Sequence, residues 1–240
     1  MLLSLNEIRG RSVYCQWKKS GSVPDFSGDK IVRLLSVTIY ILLVLAAPAA
    51  AMDQGMDSQV LAEINLARSA PRTYAGFLRD LSARFHGTYY LLSGSTTRVQ
   101  TREGVKAVNE AIRLLSRQKP LPPLSWSDGL AAAAAELAEE QGRSGGTGHT
   151  GRKSGGVRER VERHGQWGRQ LAENIGYGPA VARDMVMQLI IDDGVPDRGH
   201  RKNIFNAAFK TAGAACGPHP SIRNMCVIDF AEGFREQESE

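Results

Sequence analysis

Apolar residues recur at helical spacing through most of the chain, and only near its end does the pattern shorten into two strand-like runs. Asp57 or Ser58 can cap a helix carrying Leu61, Ile64, Leu66 and Ala67, which Pro71 interrupts or restarts. Tyr74, Phe77, Leu78 and Leu81 continue the pattern at i, i+3, i+4 and i+7. The stretch from His86 to Thr101 is rich in glycine, threonine and serine, and reads as an exposed loop inserted at 86–101. Val105, Val108, Ile112 and Leu115 then restore a helical stripe, which Pro120, Pro122 and Pro123 end.

Ser125 or Ser127 can cap the next helix, an alanine-rich run from Leu130 to Gln141 stopped by Gly142. Its buried face, Leu130, Ala134, Leu137 and Ala138, is small enough for a neighbour to approach closely, which marks it as a central member of the fold. Residues 142–156 hold seven glycines and must form a loop. Pro179 starts a further helix with Val181, Met185 and Leu189 in line, ended by Gly194. The strand-like runs, Thr211 to Cys216 and Met225 to Phe230, flank a Gly-Pro-His-Pro-Ser turn and predict an antiparallel hairpin. Helices first and strands last indicate an α+β fold, with a small antiparallel sheet covered by helices.

The N-terminus changes this picture. Leu34 to Leu45 is almost wholly apolar, preceded by Lys30 and Arg33 and followed by Ala46-Ala47-Pro48-Ala49-Ala50-Ala51, which reads as a signal peptide cleaved near Ala51. The alternative is an uncleaved anchor, since about 17–25 apolar residues can span a bilayer. Both readings export residues 52–240, expected to form one domain, to the extracellular space or the periplasm. Residues 1–33 are a long lead for a signal, and a translation start near Val32 would give it ordinary length.

The formal charge of +5 falls to +2 without residues 1–51, leaving 24 Lys/Arg against 22 Asp/Glu. That near balance, with no basic run interleaved with aromatics, argues against a nucleic-acid partner. Arg152-Lys153 and the Arg158 to Arg163 cluster read as solvated faces, Glu159 and Glu162 interrupting the second. Of the cysteines, Cys216 and Cys226 remain after cleavage. In an oxidising compartment they should form a disulfide, the alternative being two buried thiols.

Two histidines and two acidic segments supply the candidate chemistry. His149 lies in Gly148-His149-Thr150-Gly151 and His200 in Gly199-His200-Arg201-Lys202-Asn203, with Glu173 and the pair Asp192-Asp193 between them. Imidazole and carboxylate are the groups that most readily hold a divalent metal or exchange protons near neutral pH. Glu173 enters a half-buried segment between Leu171 and Ile175, where a carboxylate needs a partner. Asp192 and Asp193 fall at a helix C-terminus, where negative charge is disfavoured; Asp193 beside Gly194 suits a turn, which favours Asp192 for the site. His86, His164 and His219 have no acidic motif beside them and are assigned no role.

The order of Ile64-Asn65-Leu66-Ala67-Arg68, His149, Glu173-Asn174-Ile175 and Gly199-His200-Arg201-Lys202-Asn203-Ile204 resembles the CAP superfamily, or SCP domain, most closely its bacterial secreted branch. The resemblance covers roughly residues 58–234. It implies a three-layer α-β-α sandwich with a central antiparallel sheet. It also implies a cleft in which His149, Glu173, Asp192 and His200 gather, the histidines able to ligate a cation such as zinc. Leu189 stands three residues before Asp192 where family members commonly have tryptophan, and Ala172 replaces the usual glycine before Glu173. The family reading favours a binding module for a small or lipid-like ligand. Its alternatives are a metal-assisted hydrolase, with zinc-bound water as nucleophile and Glu173 as base, and a cell-wall or protein-interaction module without catalysis. No His-Glu-x-x-His helix is present, and the one Gly-x-Ser-x-Gly stretch, Gly142 to Gly146, follows the alanine-rich helix and not a strand, so it is no nucleophile elbow.

Overall fold

The computed structural model describes residues 55–237 apart from 93, 95 and 97; the lead and the signal or anchor segment, residues 1–51, lie outside them. In chain order the helices are α1 (Met56–Ser69), α2 (Pro71–Ser82), α3 (Val105–Arg117), α4 (Asp128–Ser144), α5 (Val157–Glu162), α6 (Ala182–Ile191) and α7 (Gly199–Ile204). The strands are β1 (Phe85–His86), β2 (Tyr89–Leu91), β3 (Arg98–Gln100), β4 (Ser125–Trp126), β5 (Gly165–Trp167), β6 (Leu171–Tyr177), β7 (Thr211–His219), β8 (Arg223–Ala231) and β9 (Phe234–Glu236). Among the described residues no helix is long and apolar enough to cross a membrane.

The central sheet has the order β4-β7-β8-β6. Its three long strands pair antiparallel, and β4 adds in parallel at one edge. Alternate residues of a strand face opposite sides, and here both sides are covered. Ala212, Ala214, Cys226, Ile228 and Phe230 join a core with Val60, Ile64, Met185 and Ile190 of α1 and α6. Ala215, Met225 and Val227 pack instead against Ala134, Leu137 and Ala138 of α4. The result is the α-β-α sandwich of an α+β protein, with β6 at an edge where side chains from both layers can meet.

α4 explains why small residues were needed. A side chain at Gly213 of β7 would stand 2.1 Å from the backbone nitrogen of Ala131, so the helix lies directly on the strand. Ser127 caps it, its hydroxyl accepting from the Leu130 N–H. The helix does not stop at Gly142 as expected but runs to Ser144, with Gly145 in the left-handed region as its cap. Gly142 serves close approach instead, because a Cβ there would sit 2.9 Å from the Pro218 carbonyl.

Two further boundaries differ from expectation. α6 begins at Ala182, not at Pro179, because the Gly178 N–H still bonds the Asn224 carbonyl and keeps the chain extended. The stretch from His86 to Thr101, read as a loop, carries most of the three-stranded meander β1-β2-β3, with the Phe85 and Tyr90 rings tilted against each other at 5.1 Å between centroids. The Cys216–Cys226 disulfide forms, with an S–S distance of 2.07 Å, between residues directly paired on β7 and β8.

Candidate functional site

The glycine loop after α4 is pinned, not loose. Glu140 of α4 accepts the backbone N–H groups of Arg152, Lys153 and Ser154 at 2.7 to 3.2 Å. Those bonds, Ser154's first, hold its carboxyl down to about 2. Gln141 Nε2 donates to the Gly148 carbonyl, the Gly148 N–H donates to the Tyr177 hydroxyl, and that hydroxyl donates to Gln141 Oε1. Buried His219, left without a role by its sequence context, fixes the same loop through the Gly146 carbonyl. His149 is thereby presented at a defined place beside the edge strand β6.

There its Nδ1 lies 2.8 Å from Glu173 Oε1. The His149 side chain is 56% exposed while that of Glu173 is 2% exposed, so a buried carboxylate orients an accessible ring. The hydrogen bond that His149 donates to Glu173 is the main reason the His149 pKa is raised, against an opposing desolvation effect. Glu173's other oxygen bonds Arg160 of α5, whose side chain is fully buried. Arg160 therefore does not belong to a solvated face, as its cluster suggested. A visible signal existed: Val157, Arg160 and Val161 share one side of the helix at i, i+3 and i+4. Arg160 also donates to the carbonyls of His149 and Gly155, tying the loop to the acid it faces.

The second pair forms at the end of α6. Asp192 is its C-cap, at φ 58°, and its Oδ1 lies 2.7 Å from His200 Nδ1. Its Oδ2 accepts the backbone N–H groups of His200 and Arg201 at 2.9 and 3.3 Å, so the acid is stabilised by the start of α7. Asp193 turns away and accepts from the backbone of Arg102 and Glu103. Asn174 latches the two pairs to the same strand: next to Glu173, it donates to the His200 carbonyl at 3.0 Å and accepts from Asn203.

A carboxylate can only accept, so in each neutral ring Nδ1 carries the proton and Nε2 is left as the acceptor. His200 and Asp192 also line a cleft of about 320 Å³ between the meander, the end of β6 and the end of α6. Phe85, Tyr90, Val99 and Leu189 give it apolar walls, and Tyr177 closes the side nearest the His149 loop. His149 and Glu173 are not in its wall.

Behind Glu173, in register on β8, sits Asp229. Both its oxygens are buried, and the nearest charged group named beside them is Glu173. Burial, and then the charge of Glu173, push its pKa well above the carboxylate range. Its trace in the sequence is a lone charge within the apolar run Met225 to Phe230.

For a metal, the donor set is short. Glu173 and Asp192 are occupied in orienting the imidazoles, as carboxylates do behind metal-bound histidines. Among the described residues no group of three or more His, Cys, Asp and Glu could hold a metal ion. Two imidazole nitrogens remain, whereas a catalytic zinc site has three protein ligands. The residues present thus do not fit a resident catalytic zinc.

A helical sandwich around an edge-strand site with two histidine–carboxylate pairs defines the structural class. Residues 62–230 match CAP, the Cysteine-rich secretory protein family, and the chain belongs to it. Similar solved structures include an extracellular protein containing a SCP domain from Bacillus anthracis, 19% identical with a TM-score of 0.38. Others are an outer surface protein from Borrelia burgdorferi, 18% identical with a TM-score of 0.40, and a cysteine-rich secretory protein from Staphylococcus aureus, 19% and 0.37. The matched regions cover 52%, 58% and 66% of this chain, in that order, and 38%, 97% and 48% of theirs. The chain thus spans well under two thirds of the Bacillus and Staphylococcus proteins. No curated protein matches it.

Proposed function

We propose that the chain is an exported binding module whose cleft takes a small, largely apolar ligand. One observation carries this reading: a cleft of about 320 Å³, within the range of roughly 300–1,000 Å³ usual for ligand sites, sets the apolar side chains of Phe85, Tyr90, Val99 and Leu189 opposite a polar side that includes Asp192 and His200. Export is supported by the disulfide, which persists in oxidising compartments. It is supported also by the apolar run from Leu34 to Leu45.

The test is titration with Nile red, an apolar dye without hydrogen-bond donors. One-to-one binding with enhanced emission is expected, and Val99→Asp, which puts a charge in the apolar wall, should abolish it. Binding unaffected by Val99→Asp would sink the reading.

A divalent cation is a second ligand on this view. Its support is that both Nδ1 atoms are fixed by carboxylates and both Nε2 lone pairs are left for a ligand. Of the two imidazoles only His200 lines the cleft, so a cation there would bind weakly and would be lost as that ring protonates, which zinc calorimetry at pH 7.5 and 5.5 checks. The hydrolase alternative requires that His149→Ala, His200→Ala and Glu173→Gln each abolish turnover; the binding reading requires dye affinity to survive in at least one.

A further inference from the structure

The seam between α2 and α3 gathers positive charge that the fold does not use. A hollow of about 330 Å³ lies where α2 begins and α3 ends, and Arg72, Arg117 and Lys119 line it with no acidic residue in its wall. Arg113 stands one turn before Arg117, and Arg79 reaches α3 by donating to the Ser116 hydroxyl at 3.4 Å. Among the described residues eight arginines form ion pairs with acids, whereas Arg72, Arg113, Arg117 and Lys119 form none. The acids of these two helices are engaged elsewhere. Asp80 lines the hollow against α1 and α6, and Glu110 is held by Arg198 and Arg201.

Stability does not account for the cluster. Arg117 sits in the last turn of α3, where a cation is favoured, but Arg72 sits in the first turn of α2, where a cation is disfavoured and no acid offsets it. The two helix ends thus act in opposite senses, and the side chains set the field of the hollow. Arg72, Arg117 and Lys119 are all exposed, so none is placed there by packing into the core. Cations this close repel one another, and an anion brought from outside turns that repulsion into attraction.

The number of cations indicates the kind of anion. A carboxylate brings one charge, whereas a phosphate group brings about −1.5 to −2 near pH 7 and three acceptor oxygens that suit guanidinium forks. Three cations in the wall, with Arg113 behind them, exceed what one phosphate neutralises. We infer that this hollow binds a small soluble molecule carrying two or more phosphate groups. It shares no wall residue with the cleft, and the inference holds whatever the cleft binds.

Calorimetric titration of the exported chain with pyrophosphate, inorganic phosphate and malonate at near-physiological salt tests this. Pyrophosphate should bind one-to-one and at least about tenfold more tightly than phosphate or malonate, since a further charge-assisted hydrogen bond is worth about that factor. Arg72→Gln/Arg117→Gln should weaken it at least about tenfold, whereas Arg152→Gln/Lys153→Gln, which removes the same charge from an exposed pair on the loop after α4, should change it less than about twofold because salt screens distant charges. Arg72→Gln alone should leave Tm unchanged or higher, as its cation works against the helix. A lower Tm would show that this arginine serves the fold and would count against the site. An equal loss in the two double variants would mean attraction by net charge alone, and equal affinity for pyrophosphate and malonate would mean no choice of phosphate; either overturns the assignment. Binding to phosphatidylglycerol vesicles with none to pyrophosphate would make the seam a membrane contact and overturn it as well.

Discussion

Asp229 shows what a single buried acid does to this fold. Its pKa is raised in the native state, so its contribution to stability is fully present below the unfolded value near 3.9 and is lost as pH rises toward the native pKa. As pH rises above the unfolded value the native state binds this proton more tightly than the unfolded chain, a difference that costs about 1.4 kcal/mol for each tenfold weakening of the acid. Asp229→Asn keeps the shape and removes that cost. The variant should be more stable than the parent at pH 7, and the gain should shrink toward pH 4; denaturant melts across that range check both. Glu173 and Arg160 behave in the opposite way. Their side chains are 2% and 0% exposed, and Arg160→Met strands a buried carboxylate, for which a loss of about 3–5 kcal/mol is expected. Glu173→Gln should lower the His149 titration midpoint seen by NMR, because the Glu173 bond is the main reason it is raised. An unchanged midpoint would show that the pair is not formed in solution.

At the scale of elements, what could be read in advance followed from periodicity. α2 and α3 show their apolar stripes at i, i+3 and i+4 without interruption, and both were legible. So were β7 and β8, whose apolar runs bracket an unmistakable turn, and the pairing of Cys216 with Cys226 that their register enforces. β6 was not, because its residues Ala172, Glu173, Asn174 and Gly176 face two packed layers with small or polar side chains and show no alternation. The side chains of the two histidine–carboxylate pairs, His149, Glu173, Asp192 and His200, stand out in the sequence by their glycine-flanked or half-buried settings. Their division into two pairs does not, since it depends on which carboxylate oxygens Arg160 and the α7 backbone already hold. Gly213 is the sharpest case of a residue whose reason lies outside its own strand. Gly213→Ala must push α4 off β7, since its Cβ would stand 2.1 Å from a backbone nitrogen. Loss of the cooperative melt is expected, whereas Gly217→Ala on the same strand, with nothing within 4 Å, should fold normally.

Across the whole molecule, the meander that walls the cleft is fastened to the far end of α6. The fastening is electrostatic. Asp193 accepts the Arg102 and Glu103 backbone N–H groups at 2.6 and 2.8 Å, Glu103 accepts the Gly194 N–H, and Arg198 bridges Glu103 and Glu110 with both arms of its guanidinium. Arg201 reaches Glu110 from α7, so helix, turn and site histidine share one network. Bonds to Arg198 are the leading cause that holds both Glu103 and Glu110 down to about 2. A carboxylate with a depressed native pKa stabilises above its unfolded value, near 4.3, and that stabilisation is lost as pH falls through about 2. These groups are partly exposed, so the effect on global stability is damped by solvent, but the effect on the cleft wall is direct. Nile red affinity should therefore decline between pH 4 and 2 ahead of global unfolding. Arg198→Met should produce the same loosened wall at pH 7, read as faster amide exchange in residues 85–102 and weaker dye binding with only a small drop in Tm. Should exchange in that segment stay as slow as in the parent, the meander is held by its own packing, Phe85 on Tyr90, and the ion network is incidental to the cleft.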